Sequence, residues 1–264
     1  MLITLASAKG APGVSTTAIA LAIHWPRPVV ILEADLSGSS IIPGYLRGQI
    51  KHDRGVPRLT IAHNNGHLAD ELPTQTLPLD PRRPADGPLL IPGLFDAGTA
   101  TAAKDLWGPL ASHLASQKDH DTIVDLGRLD AVSDHRDAFI RLADLSLLAS
   151  TSRLPDILAT RHLVRRREAK TTEGARAFTN LRSLTIGPGK PYTAKEVAET
   201  VELRAVEPVG WDPKYASAFS DGVSRAPREY SKSEFSRSID KLAADVSRQV
   251  RERELQLRPR KVRS

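Results

Sequence analysis

Residues 8–17 read Ala-Lys-Gly-Ala-Pro-Gly-Val-Ser-Thr-Thr, and their types suit one chemistry, the holding of a phosphate. Gly10 and Gly13 let the backbone turn tightly enough for N–H groups to converge on an anion. The Ala/Ile/Leu-rich run over 15–23 is a helix, and its N-terminal dipole adds to the same field. Ser15 on that helix supplies a hydroxyl suited to Mg²⁺. Two carboxylates follow apolar runs. Asp35 follows the apolar run PVVILEA, and Asp125 lies near the end of HDTIVDL. A carboxylate after a buried strand is placed to orient metal-bound water. The bland alternative for residues 8–17 is a glycine turn joining a strand to a helix in another α/β fold.

These side chains need elements to carry them to one place. Apolar, β-prone runs predict strands at 2–8, 28–34, 57–62, 88–92, 120–126, 145–150, 181–186 and 204–209. Helical patterns cover 15–23, 99–117, 134–143, 155–169, 193–201, 213–220 and 233–254. Pro26 and Pro28 end the first helix, and 73–88 reads as an irregular surface loop. Strands alternating with helices predict an α/β fold of three layers, α/β/α, with a mostly parallel sheet. Such sheets bind ligands at the carboxyl edge, where both Asp35 and Asp125 fall.

Composition narrows the chemistry. The chain has 264 residues, 40% hydrophobic and 26% charged, an ordinary globular balance. It has no cysteine, which excludes disulfides, thiolate zinc sites and Cys-ligated iron–sulfur clusters. No apolar run is long enough to span a membrane, and MLITLASAKG reads as a first strand, so a cytoplasmic protein is expected. The net charge is +6, yet residues 241–264 hold eight Lys/Arg against three acids and carry +5 of it. Two units follow from this asymmetry: a domain over 1–240 and a basic C-terminal helix and tail over 241–264.

Residues 9–16 resemble the deviant phosphate loop of the MinD/ParA ATPases, of form K-G-G-x-G-K-[ST]-T. The resemblance puts Lys9 on the signature lysine, which in that family reaches across a dimer to the partner's nucleotide. Gly10, Gly13, Ser15 and Thr16 match. Ala11 replaces a glycine. Val14 replaces the lysine that touches the β and γ phosphates in ordinary P-loops, and supplies no charge there. Asp35 falls on the aspartate that positions the attacking water, with Glu33 where the family usually has a first Asp. Asp125 falls on the Walker B carboxylate and faces Ser15 and Mg²⁺. The switch after it reads Gly127-Arg128-Leu129-Asp130, and Arg128 is either a contact to phosphate or partner subunit, or a surface residue. Pro208, Trp211, Asp212 and Pro213 match the late loop that borders the adenine. The Asn-Arg pair that helps hold the base in better-known members is missing.

The resemblance covers residues 2 to about 240, weakly over 36–98. It implies a positioning or partitioning switch that binds ATP and Mg²⁺, closes as a homodimer, hydrolyses weakly or not at all, and engages a protein partner, DNA or a membrane. A basic surface for nonspecific DNA or anionic lipid is expected from Arg161, Arg165, Arg166, Arg167 and the tail, against a plain solvated helix face. The protein would then sit in the cytoplasm, peripheral to nucleoid or membrane. Leu242, Val246 and Val250 form a narrow apolar stripe that packs on the domain or meets lipid. Two rivals stand beside the switch: a pseudo-ATPase scaffold working through protein contacts, and an ATP-dependent ligase of the dethiobiotin synthetase kind, disfavoured because it needs the lysine that Val14 replaces.

Overall fold

The computed structural model describes residues 1–10, 13–51, 53–80, 83–129, 134–170, 179–223 and 227–257. Its spine is an eight-stranded sheet in the order β3-β4-β2-β5-β1-β6-β7-β8. The strands are β1 (Leu2–Ser7), β2 (Val29–Glu33), β3 (Leu77–Pro78), β4 (Leu89–Ile91), β5 (Asp121–Arg128), β6 (Leu145–Thr151), β7 (Leu181–Ile186) and β8 (Arg204–Ala205). All neighbours run parallel except β3, which pairs antiparallel with β4. The chain leaves β1 toward β2, then returns through β5 to β6 on the other side, so the direction of winding reverses at β1. That reversal opens a crevice above the carboxyl ends of the strands.

Period-two alternation splits the strand side chains between two cores. Ile3 and Leu5 face one layer, built with α1 (Val14–Ile23), α8 (Pro213–Ser220) and α10 (Glu234–Leu257). Leu2 and Ala6 face the other, built with α2 (Val56–Asn64), α4 (Trp107–Ser116), α5 (Asp137–Leu142) and α6 (Leu154–Lys170). α7 (Ala194–Val201) packs Val197 and Val201 on Ile157 of α6. The short α3 (Leu68–Glu71) and α9 (Pro227–Ser231) complete the set. Leu242, Val246 and Val250 of α10 are all fully buried in the first core. The apolar stripe therefore packs on the sheet side of the domain; residues 258–264 of the basic tail lie outside the described residues.

Several elements differ from expectation. Residues 57–62 form helix, not strand. Gly55 at the helix N-terminus has φ +93° and lies against Pro92, where a Cβ would meet the Pro92 carbonyl oxygen at 2.1 Å. The Val56 N–H donates to that same oxygen at 2.9 Å, and Pro57 stands in the first turn. Tertiary contact thus starts a helix over residues whose β-branched types suggest a strand. The loop at 73–88 contains a 3₁₀ turn (Leu72–Gln75) and the edge strand β3. The strand expected at 204–209 is two residues long plus an isolated bridge between Ile186 and Val209. Beyond Ala205 the Glu207 N–H turns to Asp245 of α10 at 3.0 Å, which covers part of the sheet edge. The helix expected at 99–117 shortens to Trp107–Ser116.

Candidate functional site

The glycine turn sits where β1 meets α1. Gly13 precedes the helix in the left-handed region, φ +79°, and its carbonyl accepts the Thr17 N–H at 2.9 Å. A side chain is strained at that φ, so glycine is required by backbone geometry. No described residue lies within 4 Å of a Cβ built on Gly10, and Ala11 and Pro12 lie outside the described residues. Val14 is buried in the core with 5% exposure, and Ser15 and Thr16 are half-buried behind the turn. Lys9 is 57% exposed, and its Nζ lies 3.9 Å from Asp156 Oδ1 at the start of α6. Asp156 is anchored in turn by the Thr151 hydroxyl at the end of β6.

Three carboxylates converge beside the turn. Register places Asp125 opposite both Leu5 of β1 and Glu33 of β2. Between Leu5 and Ser7 the β1–β5 register shifts, so Ser7 lies opposite Arg128. The irregularity contains Gly127, φ +56°, and such bulges re-aim neighbouring groups. Glu33 is fully buried, and its oxygens accept from the Ser39 and Ser40 hydroxyls and from the N–H groups of Ser40, Ile41 and Gly93. It ties down the loop after β2. Asp35 Oδ1 accepts the Ser37 N–H at 2.8 Å and the Ser37 hydroxyl at 2.5 Å.

Asp125 is different in kind. It is fully buried; Oδ1 accepts the Gly127 N–H at 2.9 Å, while Oδ2 has no hydrogen-bond partner among the described residues. Burial pushes its carboxyl up to about 7; the nearby Ser15 hydroxyl opposes the rise, Glu33 and Asp35 add to it, and the Gly127 N–H opposes it. An orphaned carboxylate oxygen beside a helix-borne hydroxyl suits a divalent cation. Among the described residues no cluster of three His, Asp or Glu forms a protein-only metal cage. Mg²⁺ does not need one, since it keeps waters and takes phosphate oxygens for most of its shell. Ser15 and Asp125 therefore fit the cation expected of them.

A buried arginine, for which the sequence carries no signal, organises the neighbouring strand ends. Arg136 is 1% exposed and donates to the carbonyls of Ala34, Leu126 and Arg128 and to the Asp134 carboxylate. It clamps the ends of β2 and β5 together. Against this clamp lies a cleft of about 810 Å³ whose walls include Ala8, Asp35, Ser37, Arg128, His162 and Arg166.

The arginines of α6 differ in their surroundings. Arg161 and Arg165 pair with Glu202 at 3.2 and 2.6 Å. Arg167 is 6% exposed and paired with Asp137, which corrects its place in a contact surface: a buried, neutralised guanidinium cannot meet DNA or lipid. Arg166 remains exposed.

Of the late-loop residues, Trp211 is half-exposed and lies over Gly187, where a Cβ would meet its ring at 3.1 Å. Ile186, next in the chain, has its Cδ1 3.8 Å from a Cβ built on Gly13, so the end of β7 that Trp211 covers adjoins the glycine turn. Asp212 caps α8 by accepting the Tyr215 N–H at 3.4 Å, and Pro213 opens that helix. Pro208 lines a second groove, between β8, α7 and α10, to which no described residue of the glycine turn contributes.

Sheet order, crossovers and glycine turn together make this the three-layer α/β P-loop fold with a mostly parallel sheet. Solved structures similar to the chain are a ParA family ATPase from Chlorobium tepidum TLS (15% identity, 92% of this chain and 98% of that one, TM-score 0.64) and the MinD cell division protein of Aquifex aeolicus (13%, 93% and 96%, 0.67). A third is the septum site-determining protein MinD of Pyrococcus horikoshii OT3 complexed with Mg-ADP (13%, 93% and 95%, 0.64). No protein-family model matches the chain, and no curated protein matches it.

Proposed function

We propose that this chain is a nucleotide-dependent positioning or partitioning switch. It binds ATP with Mg²⁺, closes as a homodimer around the nucleotide, and in that state engages a partner, DNA or a membrane. The observation that carries this reading is the orphaned Asp125 Oδ2 beside Ser15, directly behind a glycine turn at the carboxyl edge of the sheet. Bound Mg²⁺ would supply charge compensation for the β and γ phosphates. Ser15 and Asp125 hold the cation. Gly10, Ala11, Gly13, Val14 and Thr16 shape the phosphate cradle. Asp35, on its Ser37 hydrogen bonds, positions water; Lys9 leaves Asp156 to reach the partner's nucleotide. Trp211, Asp212 and Pro213 border the base. The Mg-ADP complex of the Pyrococcus protein, on the same fold, supports the choice of ligand.

Turnover is expected to be weak, because Val14 is buried and apolar where the fold's ordinary lysine meets phosphate. That same observation favours a second reading, a scaffold that works through protein contacts without turnover. Calorimetry of Mg-ATP binding on wild type, Lys9→Ala and Val14→Lys separates the two. The switch predicts binding by wild type, loss of affinity or of dimer in Lys9→Ala, and faster turnover in Val14→Lys. Absence of binding by wild type at millimolar ATP would leave the scaffold.

A further inference from the structure

We propose that Arg128 and Arg166 grip the terminal phosphate of a bound nucleoside triphosphate, supplying from the switch side the positive charge that Val14 withholds. The proposal rests on the nucleotide-binding reading above and adds the residues that would tell a triphosphate from a diphosphate.

The argument begins with charge. Glu33, Asp35 and Asp125 crowd the carboxyl ends of β2 and β5, so the terminal phosphate would arrive beside three carboxylates. Mg²⁺ offsets part of that charge, and an ordinary P-loop lysine offsets more. Here the first residue of α1 is Val14, buried in the core. Lys9 extends into solvent and toward Asp156.

The nearby arginines then sort themselves. Arg136 is committed to Asp134, Arg161 and Arg165 to Glu202, and Arg167 to Asp137. Arg128 and Arg166 are both exposed, and neither has a side-chain hydrogen bond or ion pair with a described residue. Both line the same cleft of about 810 Å³, together with Asp35, Ser37 and Ala8. Ala8 directly precedes Lys9 and Gly10, so the cleft opens where the glycine turn begins. Arg128 ends β5, three residues beyond Asp125, and Arg166 comes from α6 across the cleft.

Of the charged walls, Asp134 and Arg136 cancel, and Arg128 and Arg166 outweigh Asp35. A cleft of this size suits a group as large as a phosphate chain. Two guanidinium forks from different elements suit a terminal phosphate, whose equatorial oxygens accept paired N–H donors.

The test is calorimetric titration of the full chain with Mg-ATP, Mg-ADP and inorganic phosphate, for wild type, Arg128→Gln, Arg166→Gln and Arg128→Lys. Both side chains are exposed and unpaired among the described residues, so the variants should unfold at the wild-type midpoint. Wild type is expected to prefer ATP to ADP. Each glutamine variant should lose about 10- to 100-fold in ATP affinity, the worth of a charge-assisted hydrogen bond, with ADP affinity nearly unchanged. Arg128→Lys should recover part of the loss. If ATP and ADP weaken together, or neither changes, the proposal fails while nucleotide binding stands. If wild type binds neither nucleotide, the nucleotide reading itself fails and this proposal with it. Inorganic phosphate that binds wild type without nucleotide, and is lost in the variants, would overturn the proposal by making the cleft a free-phosphate site.

Discussion

The Asp35 carboxylate lies against the backbone of Gly127, so closely that a Cβ built on the glycine would stand 2.0 Å from Asp35 Oδ2. Asp35 lies two residues beyond β2 and Gly127 one residue before the end of the neighbouring β5, where it holds φ +56°. Gly127→Ala therefore strains the backbone and drives a methyl into the aspartate. We expect a loss of about 2–4 kcal/mol in urea unfolding. Combining it with Asp35→Gly should recover part of that loss, because the obstructing side chain is gone. Strict additivity in the double-mutant cycle would show that the contact carries no energy.

Asp125 predicts a pH dependence of definite sign. Its folded pKa, about 7, lies above the ordinary carboxylate value of 3.8, so the folded state holds the proton more tightly than the unfolded one. The resulting stability is fully present below about pH 4 and is lost as pH rises through about 7. Asp125→Asn abolishes this window. Between pH 5 and 8 the variant should gain on wild type by roughly 1–3 kcal/mol in chemical unfolding. The same proton must leave before Mg²⁺ is held, so Mg²⁺-dependent nucleotide binding should strengthen from pH 6 to 8 in wild type only. A constant difference between the two proteins across this range would mean the carboxyl is ionised throughout.

Arg136 is a buried cation with three carbonyls and a carboxylate around it. Arg136→Leu leaves the buried Asp134 carboxylate without its guanidinium and frees the ends of β2 and β5. The expected cost is about 3–5 kcal/mol, read from the thermal or urea transition. A cost under about 1 kcal/mol, the usual worth of an exposed pair, would show that the clamp is solvated.

The C-terminal helix makes the fourth case. Leu242 and Val246 are fully buried in the core they share with α1. Leu242→Ala should cost about 2–5 kcal/mol, the loss of buried methyl groups and the cavity left behind. Retention on anionic vesicles should not change, because the side chain already faces protein. Unchanged stability together with lost vesicle binding would place the stripe against lipid instead.

Much of this molecule was legible in one dimension. The glycine turn, the helix behind it and the buried strands are local patterns: Gly13 needs its φ, and β1 alternates between two cores. Residues 57–62 were not legible, because their helix begins from a contact between Gly55 and Pro92, 37 positions apart in the chain. The α6 arginines look alike as letters. Only packing gives Arg167 to Asp137, Arg161 and Arg165 to Glu202, and leaves Arg166 facing the cleft.

The sequence by itself determined the α/β alternation, the glycine turn and the carboxylates at two strand ends, since periodicity and turn chemistry act between near neighbours in the chain. The tertiary structure alone decided what those carboxylates are. Glu33 and Asp125 lie opposite each other on adjacent strands. Glu33 is enclosed by hydrogen-bond donors from the loop after β2 and from Gly93. Asp125 keeps one oxygen bare beside Ser15. Burial and hydrogen bonding are set by residues distant in sequence, and they make one carboxylate a structural tie and the other a candidate ligand.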